Sequence, residues 1–353
     1  MPQTTKSLLK KIHTSTLLYA MLIVLMLVFA GSLIAVYAVP SESNTALHRL
    51  KNALPYPIVI MNYRDGITFR ALAQNMTSVK RFYETQDFSK VGLRVDFSTP
   101  DGQKRFQVRE KEVLNKMIED QAIKMVAREQ GIIVSRDEAT QGVARKLEEY
   151  GSGEEVKGEL ERLYGWTLAD FEEKVVMPSL YQEKLQARFA QDGDASAAAK
   201  EKILAAQASL QAGQSFSDVA KKYSEGDTAQ DGGDLGWFGL ADLVPELRTL
   251  VTTQKIGVPG DVVESGLGFH IVLVEEMKKE DTKQLYRLKQ IFTRKTTFAD
   301  FLSEKMRGLS VLVLSPEYQW DAEAARVEFR KQALRDFEKN LYEQADGDAA
   351  FLF

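Results

Sequence analysis

Residues 223–239 read YSEGDTAQDGGDLGWFG, and residues 261–276 read DVVESGLGFHIVLVEE. The first is a glycine-rich loop. The second alternates as two strands around Gly266-Leu267-Gly268, with glycine marking the turn. A helix over 196–210 precedes the loop, Ala212-Gly213-Gln214 turns, and Ser215 with Asp218 caps a short helix that ends at Tyr223. One more helix fits 242–252. Short helices mixed with strands of this size predict a compact α+β domain of about 80 residues.

Upstream, residues 105–190 read as helical. Leu114, Met117, Ile118, Ala122 and Met125 recur every three to four residues and mark a buried stripe. Gly131 ends that helix. Ser135 with Glu138 is a capping box for the next, and Thr167 with Asp170 caps another. Pro178 is expected to kink or end the last helix. Residues 191–199 (QDGDASAAA) shift to small and polar side chains and mark a domain boundary. Nearer the N-terminus, Ile58, Val59 and Ile60 suggest a strand, Arg64-Asp65-Gly66 a tight turn, and 68–88 a helix.

Residues 17–39 form a run of 23 uncharged residues. At about 1.5 Å rise per residue it can cross a hydrocarbon core of about 30 Å. Lys6, Lys10 and Lys11 precede it and Glu42 follows, which puts the N-terminus in the cytoplasm and the rest outside. A cleaved signal peptide, cut after Val36-Tyr37-Ala38, is the rival reading, but the run exceeds the usual apolar length of such peptides. No cysteine follows the run, so a lipoprotein anchor is excluded.

Composition removes other classes. There is no cysteine, hence no disulfide framework, thiolate zinc site or thiol nucleophile. Forty-six basic against 50 acidic residues leave a net charge of −4, without the overall basic field that nucleic-acid binding needs. Of three histidines, His13 and His48 flank the apolar run, leaving His270 alone inside a domain and making a multi-histidine metal site unexpected. No metal or cofactor is called for.

Tyr223-Ser224, Gly232-Gly233-Asp234-Leu235-Gly236-Trp237-Phe238 and Gly268-Phe269-His270-Ile271-Val272 follow one another in an order and spacing that resemble the parvulin (PpiC-type) peptidyl-prolyl isomerase domain, over about residues 196–277. The helical stretch EVLNKMIEDQAIKMVAREQGIIVSRDEA (112–139), with LYGWTLADFEEKV (163–175), looks like the N-terminal chaperone domain of SurA-, PrsA- and PpiD-type extracytoplasmic foldases. The resemblance implies a proline pocket of Leu235, Leu243 and Leu247, where a plain core role is the alternative. It also implies that His270 belongs to a hydrogen-bonded network beneath the substrate amide, where bracing the sheet is the alternative.

Two departures from the family pattern stand out. The family's first strand carries a second histidine in an Arg-His-Ile-Leu context, but residues 185–194 read LQARFAQDGD, with Phe189 nearest the slot. An aspartate or cysteine usually follows the loop serine by two positions. Here that position is Gly226, and Asp227, displaced by one, is the candidate catalytic residue that the resemblance implies. Further on, Lys289-Gln290-Ile291-Phe292 has the shape of the missing strand, with Gln290 in the histidine slot. Either this segment supplies or extends the edge of the parvulin sheet, or it is an independent strand leading into a helical appendix.

Residues 309–314 (LSVLVL) are a strand candidate, and Ser315-Pro316-Glu317 reads as the start of a helix carrying Val327, Leu334, Phe337 and Leu341. The expected organisation is a cytoplasmic N-terminus (1–16), a transmembrane anchor (17–39), a linker (40–55), a helical SurA-like chaperone domain (56–190), a parvulin-like domain (196–277) and a C-terminal strand and helix extension (284–353). The fold class is therefore α+β with a single transmembrane helix. The expected partners are unfolded or proline-containing secreted polypeptides and the membrane, with no nucleic acid. Three functions compete: a membrane-tethered isomerase, a catalytically degenerate holdase, and a tether for a membrane assembly.

Overall fold

The computed structural model describes residues 14–38, 45–86, 96–151, 153–191, 194–280 and 283–344. They fall into two compact units, one from residues 1–182 with 305–353 and one from 183–304. The basic N-terminal segment and the apolar tail 351–353 lie outside the described residues.

The first unit opens with α1 (Thr14–Ala38) and α2 (Thr45–Ala53). The expected linker thus contains a helix, and its Lys51 is 2% exposed with its ammonium over the Phe69 ring. Strands β1 (Pro57–Met61) and β2 (Asp65–Thr68) form a hairpin whose turn uses positive φ at Asn62 and Tyr63. There follow α3 (Phe69–Thr85), α4 (Pro100–Glu129), α5 (Arg136–Tyr150), α6 (Gly153–Tyr164), α7 (Leu168–Phe171) and α8 (Met177–Gln191), whose residues from 183 belong to the second unit. The capping boxes at Ser135/Glu138 and Thr167/Asp170 are both present. Pro178 neither ends nor breaks its helix. It has no N–H for the carbonyl four residues back, and a widened π turn over Glu172–Val176 lies just ahead of it, after which α8 continues.

The second unit contains α9 (Asp194–Gln211), α10 (Phe216–Tyr223), β3 (Asp234–Gly239), α11 (Pro245–Thr253), β4 (Val263–Glu264), β5 (Gly268–Glu280), β6 (Lys283–Arg294) and α12 (Phe298–Arg307). Its antiparallel sheet runs β3-β6-β5-β4. The segment read as a sheet edge or an appendix is therefore an inner strand, paired with β5 on one side (Ile271 opposite Ile291) and with β3 on the other (Gly236 opposite Leu288). The boundary expected near 277 falls within β5, and 283–304 belongs to this unit.

The chain then returns to the first unit through β7 (Val311–Val313), β8 (Tyr318–Asp321), β9 (Arg326–Phe329) and α13 (Gln332–Gln344). β7 completes a three-stranded sheet in the order β2-β1-β7. The expected helix start at Ser315 is instead a turn, in which Ser315 Oγ accepts from Glu317 N and donates to its carboxylate. A hairpin follows, with Val327 in β9, and only Leu334, Phe337 and Leu341 lie on α13. Both segments pack on the first unit's core: Asn115 of α4 pairs through its side-chain amide with the backbone of Val327, and buried Lys111 bonds Glu338 of α13 at 2.7 Å.

Candidate functional site

Side chains alternate along β5 and β6, so each strand offers one set to each face of the sheet. On one face Phe269, Ile271, Leu273 and Ile291 pack against Ile203 and Ala206 of α9 and Phe216 and Val219 of α10. On the other face lie His270, Val272 and Val274 of β5 and Leu288, Gln290 and Phe292 of β6, since directly opposed residues share a face.

Leu235, Leu243 and Leu247 meet on this second face, in one apolar cluster with Val251, Val272, Val274, Tyr286 and Leu288. Leu243 and Leu247 are buried at 7% and 5% exposure, whereas Leu235 is only half-buried. The Gly-Gly-Asp segment sets Leu235 in place. Gly233 has φ +80°, and a Cβ there would stand 2.4 Å from the Gln290 carbonyl oxygen, so only glycine brings the loop this close. Gln290 N donates to Gly233 O at 2.8 Å. Asp234 accepts from Gly236 N and from Arg287, and both contacts hold its carboxyl below the usual carboxylate range.

His270 is buried and fully partnered. Gln290 Nε2 lies 2.6 Å from His270 Nδ1, and Ser265 Oγ lies 2.7 Å from His270 Nε2. The Gln290 nitrogen can only donate, so Nδ1 accepts and the ring proton resides on Nε2, donated to Ser265. Ser265 also accepts from Leu267 N and donates to Gly268 O. The Phe292 ring lies 4.8 Å from the imidazole. Burial pushes the His270 pKa down to about 4, against a weaker opposing pull from Glu246, so the ring is neutral at pH 7.

Gln290, read from sequence in the histidine slot of β6, hydrogen-bonds His270. Phe189 does not. It sits on α8 with its ring 5.8 Å from Phe298 and 5.1 Å from Phe301. Asp227 is exposed in the loop after α10, and among the described hydrogen bonds none joins it to His270. The loop instead grips β6 through Ser224, whose hydroxyl accepts from Phe292 N, and through Glu225, which accepts from Arg294 N and Lys202. Ser265 and Phe292 were not singled out from sequence. The alternation Gln290/Phe292 carried the signal for one, while nothing local distinguishes Ser265 from any turn serine.

Residues 183–276 match the Rotamase family, a PPIC-type PPIASE domain. The chaperone SurA of Methylobacillus flagellatus is 37% identical over 112 residues, 30% of this chain and 26% of that protein. The foldase protein PrsA of Geobacillus kaustophilus is 39% identical over 74 residues, 21% of this chain and 26% of that protein. The chain therefore spans about a quarter of the length of these relatives. A crystal structure of the peptidylprolyl isomerase PrsA from Bacillus anthracis aligns with 68% of this chain at 20% identity and a TM-score of 0.21. Residues 183–276 are a parvulin-type (PPIC) domain, similar to sequences of SurA chaperones and PrsA foldases.

Proposed function

We propose that the chain is a membrane-anchored extracytoplasmic foldase that binds unfolded polypeptides and speeds cis/trans isomerisation of their X–Pro bonds. The uncatalysed barrier, about 18–20 kcal/mol, comes from partial double-bond character in the C–N bond. No covalent bond to the substrate is needed. A catalyst has to hold the proline ring away from water and favour the twisted amide over the planar one.

The observation that carries this reading is the neutral His270–Gln290–Ser265 network on the same sheet face as the Leu235, Leu243 and Leu247 cluster. Half-buried Leu235 and Phe292 are the side chains that meet the proline ring, and Leu243 and Leu247 form the floor beneath. His270, 4% exposed, is a positioning residue: it fixes Gln290 and Phe292 from below. Its neutrality suits a reaction in which no net charge develops.

The full chain is assayed with a chromogenic X–Pro peptide. His270→Ala is expected to lower kcat/KM at least tenfold while suppression of client aggregation is retained, and Leu235→Ala to act mainly through KM. A second reading, a holdase without isomerase activity, is favoured by a cavity of about 730 Å³ in the first unit. Its apolar lining includes Ile58, Phe69, Met76 and Phe106, beside Arg70 and Lys80. Such a mixed concave surface suits an extended chain. Full-chain activity no higher than background, with aggregation still suppressed, selects the holdase.

A further inference from the structure

The apolar helix α1 changes character partway along. Its described side chains from Leu18 to Phe29 are exposed, and Gly31 is exposed with nothing within 4 Å of where a Cβ would stand. From Ser32 onward the helix enters the fold of the first unit. Val36 is fully buried in that unit's core with Tyr56, Ile58 and Phe69, and Leu33 and Tyr37 pack against it. Ser32 Oγ lies 2.9 Å from the Tyr56 hydroxyl, and the Tyr37 hydroxyl donates to Pro57 O at 3.1 Å. Ile34 and Ala38, four residues apart and so on one helix face, remain exposed.

This leaves little free helix. The apolar run starts at Leu17, after the polar Thr14, Ser15 and Thr16, and residues 17–31 number 15. They rise only about 22 Å, short of a hydrocarbon core of about 30 Å. The deficit equals roughly five residues of helix, which is less than the seven, 32–38, already committed to the folded unit after Gly31. Tilting would enlarge the shortfall, whereas drawing the folded unit and the bilayer surface together would close it.

We infer that residues 32–38 serve the span and the fold at once, so that the first unit rests directly on a lipid bilayer with the Ile34–Ala38 stripe at the headgroup–acyl boundary. This rests on the membrane-anchored reading above. The inward face of the same turns is core and the outward face meets lipid, so the anchor is a rigid mount, with Tyr37 at the depth where tyrosine concentrates. Cleavage after Ala38 would remove Val36 and Tyr37 from the core, which sets the fold against the signal-peptide alternative.

The chain lacks cysteine, so a single introduced one is unique. The full-length variants Leu27→Cys and Ile34→Cys, both at exposed positions, are spin-labelled and reconstituted in phosphatidylcholine–phosphatidylglycerol vesicles. Depth is read from relaxation by oxygen against a water-soluble nickel chelate. The expected oxygen-to-nickel ratio at Ile34 is at least threefold that of a free nitroxide in buffer, and the ratio at Leu27 is higher still. A high ratio at Leu27 with less than threefold at Ile34 overturns the inference and leaves the anchor standing. Less than threefold at both positions overturns the anchor and the inference together.

Discussion

The two faces of the β3-β6-β5-β4 sheet are cut from the same strands, yet they are built for different ends. Under α9 and α10, Ile271 and Ile291 are completely excluded from water, and Thr293, a polar side chain directed there, is buried with its hydroxyl donated to Ala199 O. Across the sheet, one residue out of phase, His270, Gln290 and Phe292 replace that seal with a polar network and half-buried apolar surface. One face supplies burial. The other gives up part of it to present chemistry. A one-residue slip of β6 would exchange the two sets, so the register of a single strand sets both stability and site.

Removing that strand should have the largest effect. The segment that matches the family ends at residue 276 and lacks β6. Expressed alone, residues 183–276 are expected to show no cooperative thermal transition, because β5 and β3 lose their common partner and both sheet faces lose a row of side chains. Extending the fragment to residue 304 restores a cooperative transition in circular dichroism. A well-folded 183–276 fragment would refute the central role given to β6.

Within the intact chain, truncation on the sealed face comes next. Ile271→Ala is expected to destabilise the second unit by about 3 kcal/mol, the usual scale for deleting a buried branched side chain. Denaturant melts report this as a lower midpoint with the slope little changed. The network face should respond less to comparable truncation and more in activity.

These contrasts also show what the sequence could disclose. The capping boxes at Ser135/Glu138 and Thr167/Asp170 were legible because a cap is decided within four residues. The parvulin character of 223–276 was legible because glycines such as Gly233 answer to close backbone approaches. The place of β6 was not, because its partner β3 lies some 50 residues earlier and the strand comes after the hairpin that it flanks. Lys289-Gln290-Ile291-Phe292 gave the strand and Gln290 its role, but a sheet's order is a non-local property. Ser315-Pro316-Glu317 misled for a different reason: a serine ahead of proline opens a turn as readily as a helix. The alternation Tyr318/Trp320 and Val327/Phe329 was the better signal. Asp227 is exposed in the structure, and one position in a loop is enough to turn a side chain to solvent.

Acid should erode the network face at intermediate cost. The folded pKa of His270 is about 4, against about 6.5 in an unfolded chain. Between those values the unfolded state binds more protons, so stability rises with pH. The contribution is fully present above pH 6.5 and is lost as pH falls towards 4. It is on the order of 2 kcal/mol, since each tenfold change in proton affinity is worth about 1.4 kcal/mol and solvent near the half-buried Gln290 relieves part of the total. The difference in unfolding free energy between the native chain and His270→Gln, measured from pH 7 to pH 4, isolates it. A flat difference over this range would mean that His270 is not held neutral by burial.

The smallest change probes the assignment most closely. Gln290→Leu shortens the side chain and replaces its amide with methyl groups, removing the donor to His270 Nδ1, which should cost about 1 kcal/mol of stability. The consequence for the ring is larger than that figure suggests. In the native network the two hydrogen bonds leave a single tautomer, with the proton on Nε2 facing Ser265. Without Gln290 the Nδ1–H form loses its penalty, and the two tautomers should coexist. Nitrogen-15 shifts read this directly, because the chain has only three histidines and His270→Gln identifies the relevant signals. Native His270 is expected as the Nε2–H form with no titration above pH 5, and Gln290→Leu as a mixture whose isomerase kcat falls several-fold with KM nearly unchanged. A native ring already protonated at Nδ1 would mean that the glutamine presents its oxygen, reversing every donor and acceptor along the line from β6 to Ser265.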